Sequence, residues 1–197
     1  MNTFYLIRHG EKIGEAGGPG LTKKGKTQAE RTANYLKDKN IYKLFSSPYT
    51  RTQETAKIID GSLKVGIKFD ERLKERMNWG SVQGQTLEKF LEEWEYSDFH
   101  RNYKPKAGIS SFEAGKNAQD VINEISKKFP DENIVLITHG GVIVDLLRNL
   151  FSDKELEKYR LDFPEEKGKE CSITILVKDK GNFLLKEVGA TNHLRGI

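Results

Sequence analysis

Apolar positions along the chain follow two rhythms. Short unbroken runs, Phe4 to Ile7, Tyr42 to Phe45, Ile67 to Phe69 and Ile134 to Ile137, have the length of buried strands. Elsewhere apolar residues recur at helical spacing: Ala29, Ala33 and Leu36 follow a Gly/Pro loop that runs through Gly20, and Ala118, Val121, Ile122, Ile125 and Phe129 follow a capping Ser110 or Ser111. Ser46-Ser47-Pro48 supplies capping hydroxyls and a proline suited to a first helical turn, which predicts a helix from about Tyr49 to Ile59. Val142 to Phe151 reads as the helix behind the fourth strand. Two final runs, Ser172 to Val177 and Phe183 to Val188, flank a turn-rich stretch and read as a hairpin.

Strands alternating with helices predict an α/β fold, with a mixed, mostly parallel central sheet flanked by helices on both faces. One stretch breaks the alternation. From Asn78 to Lys106, Trp79, Phe90, Leu91, Trp94, Tyr96, Phe99 and Tyr103 stand among many charges without a strand pattern. This predicts a helical insertion, about residues 78–110, lying over the active site within a single domain that spans residues 1–197. Such an insertion serves as a lid, as core, or as both.

Composition narrows the picture in three ways. A chain of 197 residues is the size of one domain and buries about 70% of the surface its unfolded form exposes. Cys171 is the only cysteine, so no internal disulfide forms and the residue is expected to be a small buried apolar group. The formal net charge of +4 is too mild for a nucleic-acid footprint, and Lys23, Lys24, Lys26, Lys127 and Lys128 read as solvated helix faces. The run Phe4 to Ile7 is too short for a signal-peptide core, and no window approaches the roughly 18 apolar residues of a membrane span. The expectation is a cytoplasmic protein without nucleic-acid or membrane partners; no exposed apolar stripe specifies an oligomeric state.

Candidate chemistry lies at the ends of the predicted strands. Residues just past the carboxyl ends of buried strands in an α/β sheet face a common crevice. Two of only four histidines occupy such positions, His9 in Arg8-His9-Gly10-Glu11 and His139 in Thr138-His139-Gly140-Gly141. Arg51 falls one turn into the helix after the second strand, and Glu75 follows the third. Two guanidiniums, two imidazoles and one carboxylate make a set suited to phosphoryl transfer: a nucleophile, cations for the equatorial oxygens and an acid for the leaving oxygen. Neutral imidazole is the nucleophilic form, and nearby arginines favour it by disfavouring imidazolium. Glu71 and Glu11 compete with Glu75 for the acid role, while His100 reads as a surface residue, His193 as structural, and Lys104 and Lys106 as solvated loop.

Gly20-Leu21-Thr22-Lys23-Lys24-Gly25-Lys26-Thr27 formally satisfies the Gly-x-x-x-x-Gly-Lys-Thr pattern of a nucleotide-binding P-loop. Its context argues against that reading, because the preceding residues are loop and the nearest strand ends about a dozen positions earlier, whereas a P-loop leaves a strand directly.

Five ordered motifs resemble the histidine phosphatase, or phosphoglycerate mutase-like, superfamily. They are Arg8-His9-Gly10-Glu11, Leu21-Thr22-x-x-Gly25-x-x-Gln28-Ala29, Ser46-Ser47-Pro48-x-x-Arg51-x-x-x-Thr55-Ala56, Leu73-x-Glu75-Arg76 with Trp79-Gly80, and Thr138-His139-Gly140-Gly141, with a weaker echo in Asn192-His193-Leu194. The resemblance implies a phosphohistidine intermediate on His9. It further implies Arg8, Arg51, His139 and Gly140 around the phosphoryl group, Glu75 as acid and base, Arg76 reaching the substrate, and neither metal nor other cofactor. The expected substrate is a small phosphorylated molecule.

Departures from the pattern favour hydrolysis over mutase transfer. Mutases of the family share a Ser-x-Trp-Asn sequence soon after the first motif, where this chain has Lys12-Ile13-Gly14-Glu15. The insertion is also shorter and differently charged than the mutase one. Gly108-Ile109-Ser110-Ser111 only approximates the Gly-Glu-Ser of many phosphatases of the family, so neither serine is given a catalytic role. The leading expectation is a metal-independent phosphatase, with a phosphoglycerate mutase and a non-catalytic phosphoryl-binding regulator as alternatives.

Overall fold

A computed structural model describes residues 1–159 and 169–197 of the chain. The apolar runs become strands of one sheet: β1 (Asn2–Arg8), β2 (Ile41–Ser46), β3 (Ile67–Phe69), β4 (Asn133–Thr138), β5 (Ile173–Asp179) and β6 (Asn182–Ala190). Their order across the sheet is β3-β2-β4-β1-β5-β6. The first four run parallel to one another and the last two form an antiparallel hairpin beside β1. The expected mixed sheet is therefore present. Lys180 and Gly181 turn the hairpin with φ of 47° and 88°, the left-handed backbone that a two-residue hairpin loop requires.

Alternation along β1 and β4 divides the core in two. Phe4, Leu6, Ile134 and Leu136 face α4 (Ser111–Lys128) and α5 (Gly140–Leu150), packing with Ala118, Val121, Ile122, Leu146 and Leu147. Tyr5, Ile7, Val135 and Ile137 face the other way, toward Ala33 and Leu36 of α1 (Lys23–Leu36) and Ala56 and Ile59 of α2 (Thr50–Leu63). Each fully buried Leu or Ile contributes about 1.5–3 kcal/mol. A one-residue slip in β1 would exchange its two sets of side chains between faces, so the register is held from both sides.

Local details correct one expectation and add a reason against the P-loop pattern. Neither Ser46 nor Ser47 caps α2; Tyr49 holds that position without a side-chain cap, and both hydroxyls are engaged elsewhere, Ser46 Oγ donating to the Ser47 carbonyl at 2.9 Å. The P-loop reading fails for a steric and electrostatic reason. Leu21 N–H donates to Glu54 Oε2 at 2.8 Å, and a Cβ on Gly20 would lie 2.5 Å from Glu54 Oε1, so a carboxylate fills the space a phosphate would need. Thr22 caps α1 by accepting from Gly25 N–H at 3.0 Å. Ser110 caps α4 through a capping box with Glu113.

The stretch between β3 and α4 contains one helix, α3 (Leu87–Phe99), fastened to α5 by guanidiniums. Arg76 is 1% exposed, pairs with Asp145 of α5 at 2.8 Å and with Asp98 of α3, and lies 4.0 Å from the Trp94 ring centroid. Arg148 donates to the Asp98 carbonyl at 3.0 Å, and Arg101 to Asn149 Oδ1 at 2.6 Å. The expectation that Arg76 reaches the substrate is thereby corrected: its charge is consumed by two carboxylates and it does not line the cleft described below.

Two stability outcomes follow. A Cβ on Gly25 would run into the backbone carbonyl of Glu11, and one on Gly10 would lie 2.5 Å from the Gly25 carbonyl oxygen, so Gly25→Ala must separate α1 from the loop after β1. We expect a loss of about 1–3 kcal/mol, read as a lower midpoint in thermal unfolding; an unchanged midpoint would contradict the packing. Arg76→Met leaves the fully buried Asp145 without its guanidinium, and unfolding in urea should register a loss of about 3–5 kcal/mol, whereas a solvent-facing Arg76 would cost almost nothing.

Candidate active site

Parallel pairing of β1 with β4 assembles the site. Arg8 is in register with Thr138, so each strand delivers a histidine at its next residue, and His9 N–H donates to the Thr138 carbonyl at 3.1 Å. The two imidazole centroids are 5.3 Å apart. β2 flanks β4 on the other side, and Ser47, the residue after it, places its Oγ 2.9 Å from His139 Nε2.

Hydrogen bonds fix which nitrogen of His9 is reactive. Nδ1 lies 2.8 Å from the Gly10 carbonyl oxygen, an acceptor only, so Nδ1 carries the proton and Nε2 carries the lone pair. Arg51 Nε donates to that Nε2 at 3.1 Å, while its Nη1 donates to Asn78 Oδ1 at 3.2 Å. The Arg51 guanidinium also lies 4.7 Å from the Tyr49 ring centroid. Burial, and after it the charges of Arg51, Arg8 and Lys12, hold the His9 imidazole well below the usual histidine range; the bond to Gly10 opposes them. His139 is pushed the same way by burial and by Arg51. It is fully covered, and its Nδ1 is a buried polar atom without a hydrogen-bond partner among the described residues.

Glu75 follows the short 3-10 turn Glu71–Leu73. Its Oε2 accepts from Gly141 N–H and its Oε1 from Arg76 N–H, both at 3.2 Å. Burial raises its pKa above the ordinary carboxyl value against the opposing charges of Arg76 and Arg51, with Asp145 adding to the rise. Gly141 has to be glycine here: a Cβ would lie 2.5 Å from Glu75 Oε1 and 2.9 Å from the Trp94 ring. The two competitors are otherwise occupied. Glu11 accepts from Thr22 Oγ1 at 2.8 Å and pairs with Lys24 at 3.5 Å, and Glu71 pairs with Lys74 on the surface.

These groups open into a cleft of about 520 Å³ lined by Arg8, His9, Arg51, Glu75 and Gly140. α5 begins at Gly140, so its free N–H groups and positive dipole end face the cleft. The far wall is apolar, built from Met77, Trp79, Leu87, Phe90, Leu91 and Trp94. Five of the seven site residues expected from sequence line the cleft directly, His139 lies behind His9, and Arg76 lies outside. His100 is exposed and stacks on Tyr96 at 4.1 Å. His193 Nε2 lies 3.1 Å from both Thr32 Oγ1 and the Cys171 carbonyl oxygen, a structural tie near the end of the chain. Cys171 is buried, and burial pushes its thiol up to about 12.

Sequence reasoning missed Ser47, Asn78 and Glu170, whose carboxylate pairs with Arg8 at 3.0 Å. The strand-end rule applied to β2 would have found Ser47. Nothing local marks Asn78 or Glu170, because their partners are far away in sequence. Among the described residues, no group of three or more His, Cys, Asp or Glu side chains is arranged to hold a metal ion, and no helix is long and apolar enough to cross a membrane.

Comparison with known proteins agrees with this geometry. The chain is 27% identical over 184 residues to the uncharacterized phosphatase PhoE of Bacillus subtilis, covering 85% of this chain and 91% of that protein. It is 26% identical over 214 residues to the probable phosphoglycerate mutase GpmB of Erwinia tasmaniensis, covering 98% and 95%. Among solved structures, YhfR of Bacillus stearothermophilus is 25% identical and superposes with a TM-score of 0.80 over 99% of this chain and 100% of that one. A phosphoserine phosphatase variant from Entamoeba histolytica, bound to phosphoserine, is also 25% identical, with a TM-score of 0.76 over 98% and 100%. The family model for the histidine phosphatase superfamily, branch 1, matches residues 4–191, and the chain belongs to that superfamily of enzymes.

Proposed function

We propose that the protein is a metal-independent phosphatase that hydrolyses a small phosphomonoester through a phosphohistidine on His9, with Glu75 as acid and base. The observation that carries this reading is the fixed tautomer of His9: Nδ1–H is spent on Gly10, so the Nε2 lone pair shares the cleft with the Arg51 guanidinium. In the free protein Arg51 Nε holds that lone pair. An entering phosphoryl group offers the guanidinium better acceptors and releases Nε2 for attack.

In the first step Nε2 forms a bond to phosphorus while the bond from phosphorus to the alcohol oxygen breaks, and that oxygen takes the proton of the Glu75 carboxyl. In the second, water attacks phosphorus, gives a proton to the Glu75 carboxylate, and the phosphorus–nitrogen bond breaks to return neutral His9 and inorganic phosphate. Arg8, Arg51, the Gly140 N–H and His139 stabilise the charge on the equatorial oxygens. Ser47 serves by donating its hydroxyl proton to His139 Nε2, which leaves Nδ1–H as the donor toward phosphate.

The far wall favours hydrolysis over transfer between positions of a phosphorylated three-carbon acid. A substrate carboxylate beyond the phosphoryl group needs a cation on the far wall, and Met77, Trp79, Leu87, Phe90, Leu91 and Trp94 supply none. The indole and aliphatic surfaces of Trp79, Leu87, Phe90 and Trp94 suit an alcohol with apolar surface. The segment 78–110 acts as the lid-like wall that provides them.

Incubation with a labelled phosphomonoester followed by rapid denaturation should leave acid-labile, base-stable label on the wild-type protein and none on His9→Ala, whose turnover should fall by at least about 1,000-fold. Label on another residue, or label moved to a second oxygen of the substrate instead of appearing as inorganic phosphate, would refute the proposal. The pH profile supplies a second test. His9 acts as neutral base, so activity should persist below the usual histidine range and fall only where His9 protonates; it should decline on the alkaline side where the raised Glu75 carboxyl ionises. Arg51→Met removes a positive charge that favours neutral His9, so the acid limb of kcat/KM should move to higher pH. A limb that stays in place would show that Arg51 does not act on His9.

A further inference from the structure

One cation in the cleft has no part in the chemistry derived above. Lys12 lines the same cleft as Arg8, His9 and Arg51 and is half-buried. Its backbone is held in place: Lys12 forms an antiparallel bridge with Leu21, and the following residue, Ile13, donates its N–H to the Gly20 carbonyl at 3.0 Å. The ammonium therefore starts from a fixed point three residues beyond the nucleophile.

Its surroundings leave it unsatisfied. Among the described residues Nζ donates to the Ile13 carbonyl, at 3.4 Å, and no carboxylate lies within ion-pair distance of it. The neighbouring cations are better provided for, since Arg8 has Glu170 and Arg51 has Asn78 and the His9 lone pair. Burial, with the like charges of Arg51 and Arg8 after it, lowers the Lys12 pKa. Three cations gathered at one end of a cleft, one of them without an ion-pair partner among the described residues, suit an anionic group. The carboxylate of Glu15 on the same lining adds a repulsive charge that a further cation offsets.

We propose that Lys12 is a third phosphoryl-binding cation, contacting the non-bridging oxygens of the phosphomonoester together with Arg8 and Arg51. The proposal rests on the phosphatase reading of the cleft and adds a substrate-contacting residue to it. Lys12 binds the transferred group itself, so it serves every phosphomonoester the enzyme accepts and does not select among alcohols.

Calorimetric titration with inorganic phosphate tests this without requiring turnover. Lys12→Met should weaken phosphate binding on the order of tenfold to a hundredfold, and Lys12→Arg should restore most of it. Thermal unfolding of each variant, with Lys12→Gln as a second neutral replacement, separates lost binding from lost folding. With p-nitrophenyl phosphate as substrate, the acid limb of kcat/KM should move to higher pH in Lys12→Met, because the ammonium is one of the charges that keep His9 neutral. Equal phosphate affinity in wild type and Lys12→Met overturns the assignment, whatever the limb does. So does a defect confined to carboxylated substrates, which would put Lys12 at the alcohol end. Wild-type protein that does not bind phosphate at all overturns instead the reading of the cleft on which the proposal stands.

Discussion

The parallel register of β1 against β4 is the constraint from which the site follows. It aligns Arg8 with Thr138, and the hydrogen bond from His9 N–H to the Thr138 carbonyl continues the ladder one residue past the strand. Two histidines 130 positions apart in sequence are thus placed with backbone precision, not by their own side-chain contacts. The alternating packing that fixes the register also fixes the chemistry, because slipping β1 by one residue would turn its core set over and carry His9 out of line. Core and site are for this reason a single problem: Phe4, Leu6, Ile134 and Leu136 on one face, and Tyr5, Ile7, Val135 and Ile137 on the other, determine where the imidazoles stand.

The parts of the fold that follow from repeated local signals were legible in the sequence. Four apolar runs became parallel strands, and the closing runs became the hairpin, because a buried strand and a two-residue turn are each specified by a handful of adjacent residues. His9, His139 and Arg51 were legible for a similar reason, since strand ends and first helical turns are local features that point to one crevice. What failed was side-chain direction and partnership. Arg76 neighbours Glu75, and the chain leaves the 3-10 turn extended at Lys74; in extended backbone successive side chains point to opposite sides. Glu75 accordingly reaches the cleft, while Arg76 meets Asp98 and Asp145 from elements that follow much later. Ser46 and Ser47 looked like caps because the capping signal is compositional, and nothing near Ser47 in sequence announces that it will meet His139.

A further consequence concerns how the wall of the cleft is held. α3 has an amphipathic pattern too weak to be placed from sequence, yet its position is fixed by guanidiniums of Arg76 and Arg148 on Asp98 and by the stacking of Trp94 on Arg76. These contacts lie toward the end of the helix. Leu87, Phe90 and Leu91, nearer its start, carry no such ties and form the apolar lining. Anchoring one end leaves the substrate-facing end free to vary in sequence without disturbing the sheet, which is the arrangement expected where the alcohol specificity of an enzyme is set apart from its phosphoryl chemistry.

The electrostatics of the cleft follow from the same separation. Cations, covered imidazoles and a desolvated carboxyl together oppose folding, because each prefers water or a counter-ion. The backbone reduces the cost by using fixed dipoles in place of charges: the Gly10 carbonyl accepts a hydrogen bond from His9 Nδ1–H, and Gly141 N–H donates to Glu75. Glycine at both places lets the main chain approach closely, and at Gly141 a side chain would push Glu75 and Trp94 away. The cations Arg8, Lys12 and Arg51 gather around His9, which burial and their charges hold neutral. In the proposed mechanism a phosphoryl dianion offers the guanidiniums better acceptors and, in doing so, frees the His9 lone pair from Arg51. On that proposal, substrate binding and activation of the nucleophile are one event, because the same Arg51 guanidinium serves both.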